Sequence, residues 1–288
     1  MTPVPETTLG ADCHFHLFCR DQAAYPFSPE ARYTPRKEQM GTAQQLLALL
    51  DFHGLSHGLV VSSGPYQDDC RCALDSIAGS SGRLKGIAIV KPGITDIELA
   101  RLDAAGIVGI RLNMLRDGMA PFTGAESLRL LARCRELGWF VQIHCEHEHL
   151  IEAGPVVRAA GVRLLIDHFS RPRVEEGIHG AGFAALLELS RSTDCVVKLS
   201  GPFRSSRAGY PYEDVDAFVA AVIEAYGLDR CIWGSDWPFM ELDERADYST
   251  TLTCLHRWIP DASDRRRVLW DTPKRLFNFT STHLPSPL

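Results

Sequence analysis

Strand-like runs alternate with amphipathic stretches along most of the chain. The run ADCHFHLF (11–18) comes first, and TAQQLLALLDFHG (42–54) follows with leucines at helical spacing and a glycine stop. Seven more runs are predicted as strands: HGLVVSS (57–63), LKGIAIV (84–90), IVGIRLN (107–113), WFVQIHC (139–145), VRLLIDH (162–168), CVVKLSG (195–201) and RCIWGSDW (230–237). Between them the pattern predicts helices over 67–82, 95–106, 124–138, 147–161, 179–192, 212–227 and 247–259, with one or two more over 263–279. Thr95 and Glu98 are spaced as a capping box, whereas Gly154 and Pro155 interrupt the 147–161 pattern.

Eight strands alternating with eight helices over about 250 residues is the pattern of a (β/α)8 TIM barrel. A doubly wound sheet is the competing architecture, but it usually places a glycine-rich turn after an early strand. Here LFCRDQAAYPFSPEARYTP follows the first strand, without GxGxxG. No linker-like shift in composition divides the chain, so residues 1–288 are expected to form one barrel domain.

Composition narrows the partners. With 45% hydrophobic and 23% charged residues, the chain has an ordinary globular composition and can bury a core without disulfides. A net charge of −6 and no long basic tract argue against nucleic acid as a principal partner. No apolar run approaches membrane-spanning length, and MTPVPETTLG lacks the pattern of a signal peptide. The nine cysteines are scattered without a CxxC pair and read as mostly reduced thiols, with a cytoplasmic location expected.

Catalytic groups of such a barrel lie at the C-terminal ends of its strands. His14 and His16, two apart on one strand, share a face. The other predicted strand ends bring Ser62 and Ser63, Arg111 and Asn113, His144 and Glu146, Asp167 and His168, Lys198 and Ser200, and Asp236. Any one of them has an ordinary role: Asp236 as a helix cap, Lys198 as a snorkelling side chain, a lone histidine as packing. Four histidines and an aspartate at equivalent ends converge on one mouth, which separate structural roles explain poorly. Imidazoles and a carboxylate there can bind a divalent ion, or polarise a carbonyl and activate water without one. Nearby arginines suit an anionic substrate.

The runs DCHFHLF, YPFSPEARYTP, GIRLN, IDHFSRP, KLSGPFR, WGSDWPF and DTPKRLF, in this order over nearly the whole chain, resemble the amidohydrolase superfamily. More narrowly, they are similar to its 2-pyrone-4,6-dicarboxylate lactonase branch. The resemblance implies hydrolysis of a small anionic lactone, with His14 and His16 polarising the carbonyl or binding metal, His168 assisting, and Asp236 handling the proton of water. It implies substrate contacts from Tyr33, Ser62 or Ser63, Arg111 and Arg204; Arg116 stands one residue early for a further such arginine. Two positions depart from that branch: His144 replaces a tyrosine, and Phe239 stands where a histidine is expected. His144 either takes the tyrosine's place against substrate or restores a metal ligand, giving a possible zinc set of His14, His16, His144 and Asp236. The expectation leans to no required metal. A zinc-dependent decarboxylase, a metal-dependent lactonase and a non-catalytic carboxylate-binding barrel are the alternatives.

Overall fold

The computed structural model describes residues 9–146, 148–192, 194–242 and 246–280. Eight parallel strands follow one another around a single sheet: β1 (Ala11–Phe15), β2 (His57–Val61), β3 (Leu84–Ala88), β4 (Ile107–Asn113), β5 (Phe140–His144), β6 (Arg163–Ile166), β7 (Cys195–Ser200) and β8 (Cys231–Gly234). Just beyond the ends of β8 and β1, Asp236 N donates to His14 O and His16 N donates to Trp237 O, both at 2.8 Å. These bonds draw the last strand onto the first. The result is the expected (β/α)8 barrel.

The intervening helices are α1 (Ala43–Phe52), α2 (Arg71–Ala78), α3 (Asp96–Ala104), α4 (Met114–Asp117), α5 (Ala125–Leu137), α6 (His149–Ala160), α7 (Ala181–Ser192), α8 (Asp216–Tyr226) and α9 (Tyr248–Trp258). The capping box predicted at α3 forms: Thr95 Oγ1 accepts from Glu98 N, and Glu98 Oε2 accepts from Thr95 N. Gly154 and Pro155 do not break α6, which runs through both; the start of that predicted helix, His147, lies outside the described residues. The predicted helix over 67–82 is shorter than expected, because the chain turns through Gln67 at φ 52 and enters α2 only at Arg71. The terminal pattern divides into α10 (Ala262–Arg266), a wider π-turn over Arg267–Asp271, and α11 (Thr272–Phe277).

Two large apolar cores form among the described residues, beside a small cluster around Phe18 and Tyr66. One lies between the strands and the helix ring. The other joins Leu59, Val61, Phe140, Leu165, Val196 and Ile232 to Trp270, Phe277 and Phe279, so the C-terminal segment packs against an apolar cluster drawn from the strands. At about 25 cal/mol per Å² of apolar surface removed from water, such cores supply the driving force for folding and leave the opposite, C-terminal mouth free for polar groups. The thiol expectation needs one correction. Cys19 and Cys72 form a disulfide, tying the loop after β1 to α2, while the other seven cysteines are buried thiols.

Candidate active site at the barrel mouth

The strand ends bring the predicted polar residues to one place. His14 and His16 have ring centroids 5.2 Å apart, and His14 and His168 are 4.6 Å apart. Asp236 is the meeting point: its Oδ1 lies 3.6 Å from His14 Nε2 and 3.9 Å from Nε2 of both His16 and His168. Its other oxygen, Oδ2, accepts from Arg204 Nε at 2.8 Å. Burial alone would push this carboxyl up; the Arg204 guanidinium bonded to it instead holds it far below the usual carboxylate range. Asp236 is therefore ionised.

Each imidazole is fixed from behind. His16 Nδ1 donates to the Val61 carbonyl at 2.8 Å, so its Nε2 presents a lone pair toward Asp236. His168 Nδ1 bonds Ser200 Oγ at 2.9 Å. Burial, with the Arg111 guanidinium adding to it, pushes the His16 imidazole down to about 3, and burial likewise lowers His14, His144 and His168. The rings are neutral. Asp12 anchors this arrangement: its carboxylate accepts from the backbone N–H groups of His14 and Ser235 and from the Tyr248 hydroxyl.

The backbone is strained where it delivers these groups. His168, Phe169, Ser170 and Arg171 all have φ between 39° and 66°, a left-handed run that costs roughly 1–2 kcal/mol per residue. Buried Phe169 and the bonds of Asp167 and His168 hold it there. Gly201, at φ 55, fits against the same ring, since a Cβ there would lie 2.7 Å from His168 Nδ1.

A cavity of about 230 Å³ opens over Asp236, lined among others by His16, Tyr33, His144, His168 and the guanidinium groups of Arg32, Arg111, Arg116, Arg171 and Arg204. Arg111 also bonds Asp167 Oδ2, and Arg116 bonds Asp117 and Gln67. Ser62 and Ser63 are not among the lining residues; Ser62 Oγ turns to Cys70 Sγ instead. His14 is fully buried and sits one layer beneath the cavity, against Asp236.

Arg32 and Arg171 were not singled out from the sequence. Arg171 lies within the quoted IDHFSRP run, but only the left-handed turn brings it to the mouth, where its buried Nε has no hydrogen-bond partner. For a divalent ion, donor atoms of His14, His168 and Asp236 lie within 4.8 Å of one another, and His14 Nε2 is a buried atom without a partner. This donor set fits such an ion by residue type. Among the described residues, His16 and His144 fall outside that group.

Fold and site together define a class: a (β/α)8 barrel with paired histidines at the end of the first strand, a third after the sixth and one aspartate after the eighth. The model of the Amidohydrolase family matches residues 11–279, and the chain belongs to that family. It is 33% identical over 279 residues to a 2-pyrone-4,6-dicarboxylate hydrolase of Comamonas testosteroni, covering 93% of this chain and 90% of that one. It is 30% identical to a 4-sulfomuconolactone hydrolase of Rhizobium radiobacter, covering 92% and 89%. Among solved structures, a probable 2-pyrone-4,6-dicarboxylic acid hydrolase of Acinetobacter baumannii with citric acid bound superposes with a TM-score of 0.84 at 27% identity, covering 94% of this chain and 99% of that one. No described helix is long and apolar enough to cross a membrane.

Proposed function

We propose that this hydrolase opens a small lactone bearing carboxylates, of the 2-pyrone-4,6-dicarboxylate type, by adding water to the ester carbonyl. The observation that carries this reading is a single cavity lined by five arginines against two carboxylates, the ionised, buried Asp236 and Glu241. A neutral ester needs no such wall of cations; a di- or tricarboxylate does. The relatives act, by name, on lactones that are anionic.

The residues divide the work as follows. Water sits between Asp236 Oδ1 and the lone pair of His16 Nε2, two acceptors 3.9 Å apart that take its two protons in hydrogen bonds. Its oxygen attacks the lactone carbonyl carbon. With Ser200 Oγ as the donor to His168 Nδ1, which lies 2.9 Å away, His168 Nε2–H would support the oxyanion beside the guanidinium groups. Asp236 takes the proton released by water, the ring C–O bond breaks, and the proton passes to the departing oxygen. Arg204 couples binding to this step: when a substrate carboxylate draws it from Asp236, the carboxylate regains basicity. Arg111, Arg116 and Tyr33 orient the carboxylates and His144 borders the ring.

No metal is required in this scheme. A divalent ion, where bound, would be held by His14, His168 and Asp236 and would polarise the carbonyl and acidify water.

The test compares 2-pyrone-4,6-dicarboxylate with a pyrone lacking both carboxylates. We expect kcat/KM to be about 100-fold or more lower without the carboxylates, and Arg204→Met to raise KM for the dicarboxylate by roughly 10- to 100-fold, the value of a charge-assisted hydrogen bond. Equal turnover of the two pyrones would overturn the reading.

A further inference from the structure

Beneath the catalytic layer lies a buried polar cluster that the mechanism above does not use. Lys198, on β7, is fully buried inside the barrel, and its Nζ lies 2.7 Å from Gln142 Oε1, 3.1 Å from His14 Nδ1 and 3.3 Å from Asp167 Oδ1. The amide of Gln142 can face only one way. Its Nε2 donates to Asp167 Oδ2 at 3.0 Å, so its oxygen must turn to Lys198; the reverse would set oxygen against carboxylate and NH2 against ammonium. Lys198 is thus a donor, with three N–H groups and no acceptor.

His14 Nδ1 faces two candidates at the same 3.1 Å, Lys198 Nζ and Asp167 Oδ1. They demand opposite tautomers. Asp167 needs a proton on Nδ1, whereas Lys198 needs a lone pair there. Asp167 Oδ1 accepts no hydrogen bond of proper geometry, although it is buried, whereas the Lys198 contact has that geometry. The far side of the ring agrees. His14 Nε2 points at Asp236 Oδ1, 3.6 Å away, where a lone pair would meet a carboxylate and a proton is attracted to it.

We infer that Lys198 is a positioning residue: by donating to His14 Nδ1 it holds His14 as the Nε2–H tautomer, which in turn steadies Asp236 Oδ1 for the attacking water. The Lys198 hydrogen bond thus turns the His14 Nε2–H toward Asp236 Oδ1, which it faces across 3.6 Å. His14 and His16 present opposite faces to that carboxylate, the first a proton and the second a lone pair. In this state His14 would have to shed its Nε2 proton before ligating any ion.

The kinetic consequence rests on the lactone hydrolysis proposed above; the tautomer does not. The experiment is ¹⁵N NMR of protein labelled in its histidine rings, treated with chelator, for wild type, Lys198→Met and Asp167→Asn, with His14 assigned through His14→Gln. We expect an unprotonated Nδ1 and a protonated Nε2 for His14 in wild type and in Asp167→Asn, and the proton shifted to Nδ1 in Lys198→Met, where only the carboxylate faces it. On 2-pyrone-4,6-dicarboxylate, kcat of Lys198→Met falls roughly 10- to 100-fold with KM little changed, and Lys198→Arg restores part of it. A protonated Nδ1 in wild type, or an unchanged His14 tautomer in Lys198→Met, overturns the inference whether or not the lactone is a substrate. If Lys198→Met does not fold, loss of the Nε2–H form in Asp167→Asn overturns it and its retention supports it.

Discussion

Replacing Asp236 by Asn lowers turnover of the carboxylated lactone by about 10³-fold or more, within the range general-base contributions span, and leaves KM unchanged or lower. The two side chains match in shape. Asn cannot accept the proton of water, and the imidazole lone pair left on that water, His16 Nε2, belongs to a ring whose basicity burial has lowered to about 3. Binding does not suffer, because the substitution removes a negative charge from a cavity that receives anions and frees Arg204 from its 2.8 Å bond to Oδ2. Steady-state kinetics of Asp236→Asn separate the two parameters. A kcat near that of wild type would remove Asp236 from the proton transfer.

Acid destabilises the fold well above the pH at which carboxylates titrate. The sign follows from four site histidines. His14, His16, His144 and His168 are all lowered in the folded state, His16 to about 3, while an unfolded histidine takes up its proton near 6.5. Below about pH 6.5 the unfolded chain therefore binds more protons, and each ring withdraws roughly 1.4 kcal/mol of stability per pH unit. Asp12 works the other way. Pushed up to about 6 by burial, it protonates earlier in the folded state than in the unfolded one and returns one such increment between about pH 6 and 4. The four histidines outweigh the single opposing aspartate, so the net effect is a loss of stability as pH falls below about 6.5. Asp167 and Asp236, both lowered, add their own loss only at lower pH. Urea unfolding at pH 7, 6 and 5 measures this slope. A flat profile would mean that the rings are charged in the native state, and the lone pair assigned to His16 would not exist.

Hydrophobic periodicity revealed the barrel because each of its strands is a short apolar run set off by helical spacing, and the two parts of the pattern reinforce each other. The predicted ends of β1, β6 and β8 likewise placed His14, His16, His168 and Asp236 together. Other features depend on turns and pairings that period alone does not encode. Arg171 reaches the cavity through four consecutive left-handed residues. Ser62 and Ser63 follow β2, every residue of which is buried, so apolar alternation carried no information about which hydroxyl faced the mouth. Lys198, Gln142 and Asp167 lie on or just after three neighbouring strands, β7, β5 and β6, and their hydrogen bonds follow from strand register. Cys19 and Cys72 are 53 residues apart, with no spacing rule to join them.

The account stands most directly on whether chelator-treated wild-type protein consumes 2-pyrone-4,6-dicarboxylate, followed through loss of the pyrone's ultraviolet absorbance. It predicts rapid, saturable loss that Asp236→Asn abolishes. No loss above the Asp236→Asn background, from protein shown to be folded, would contradict it.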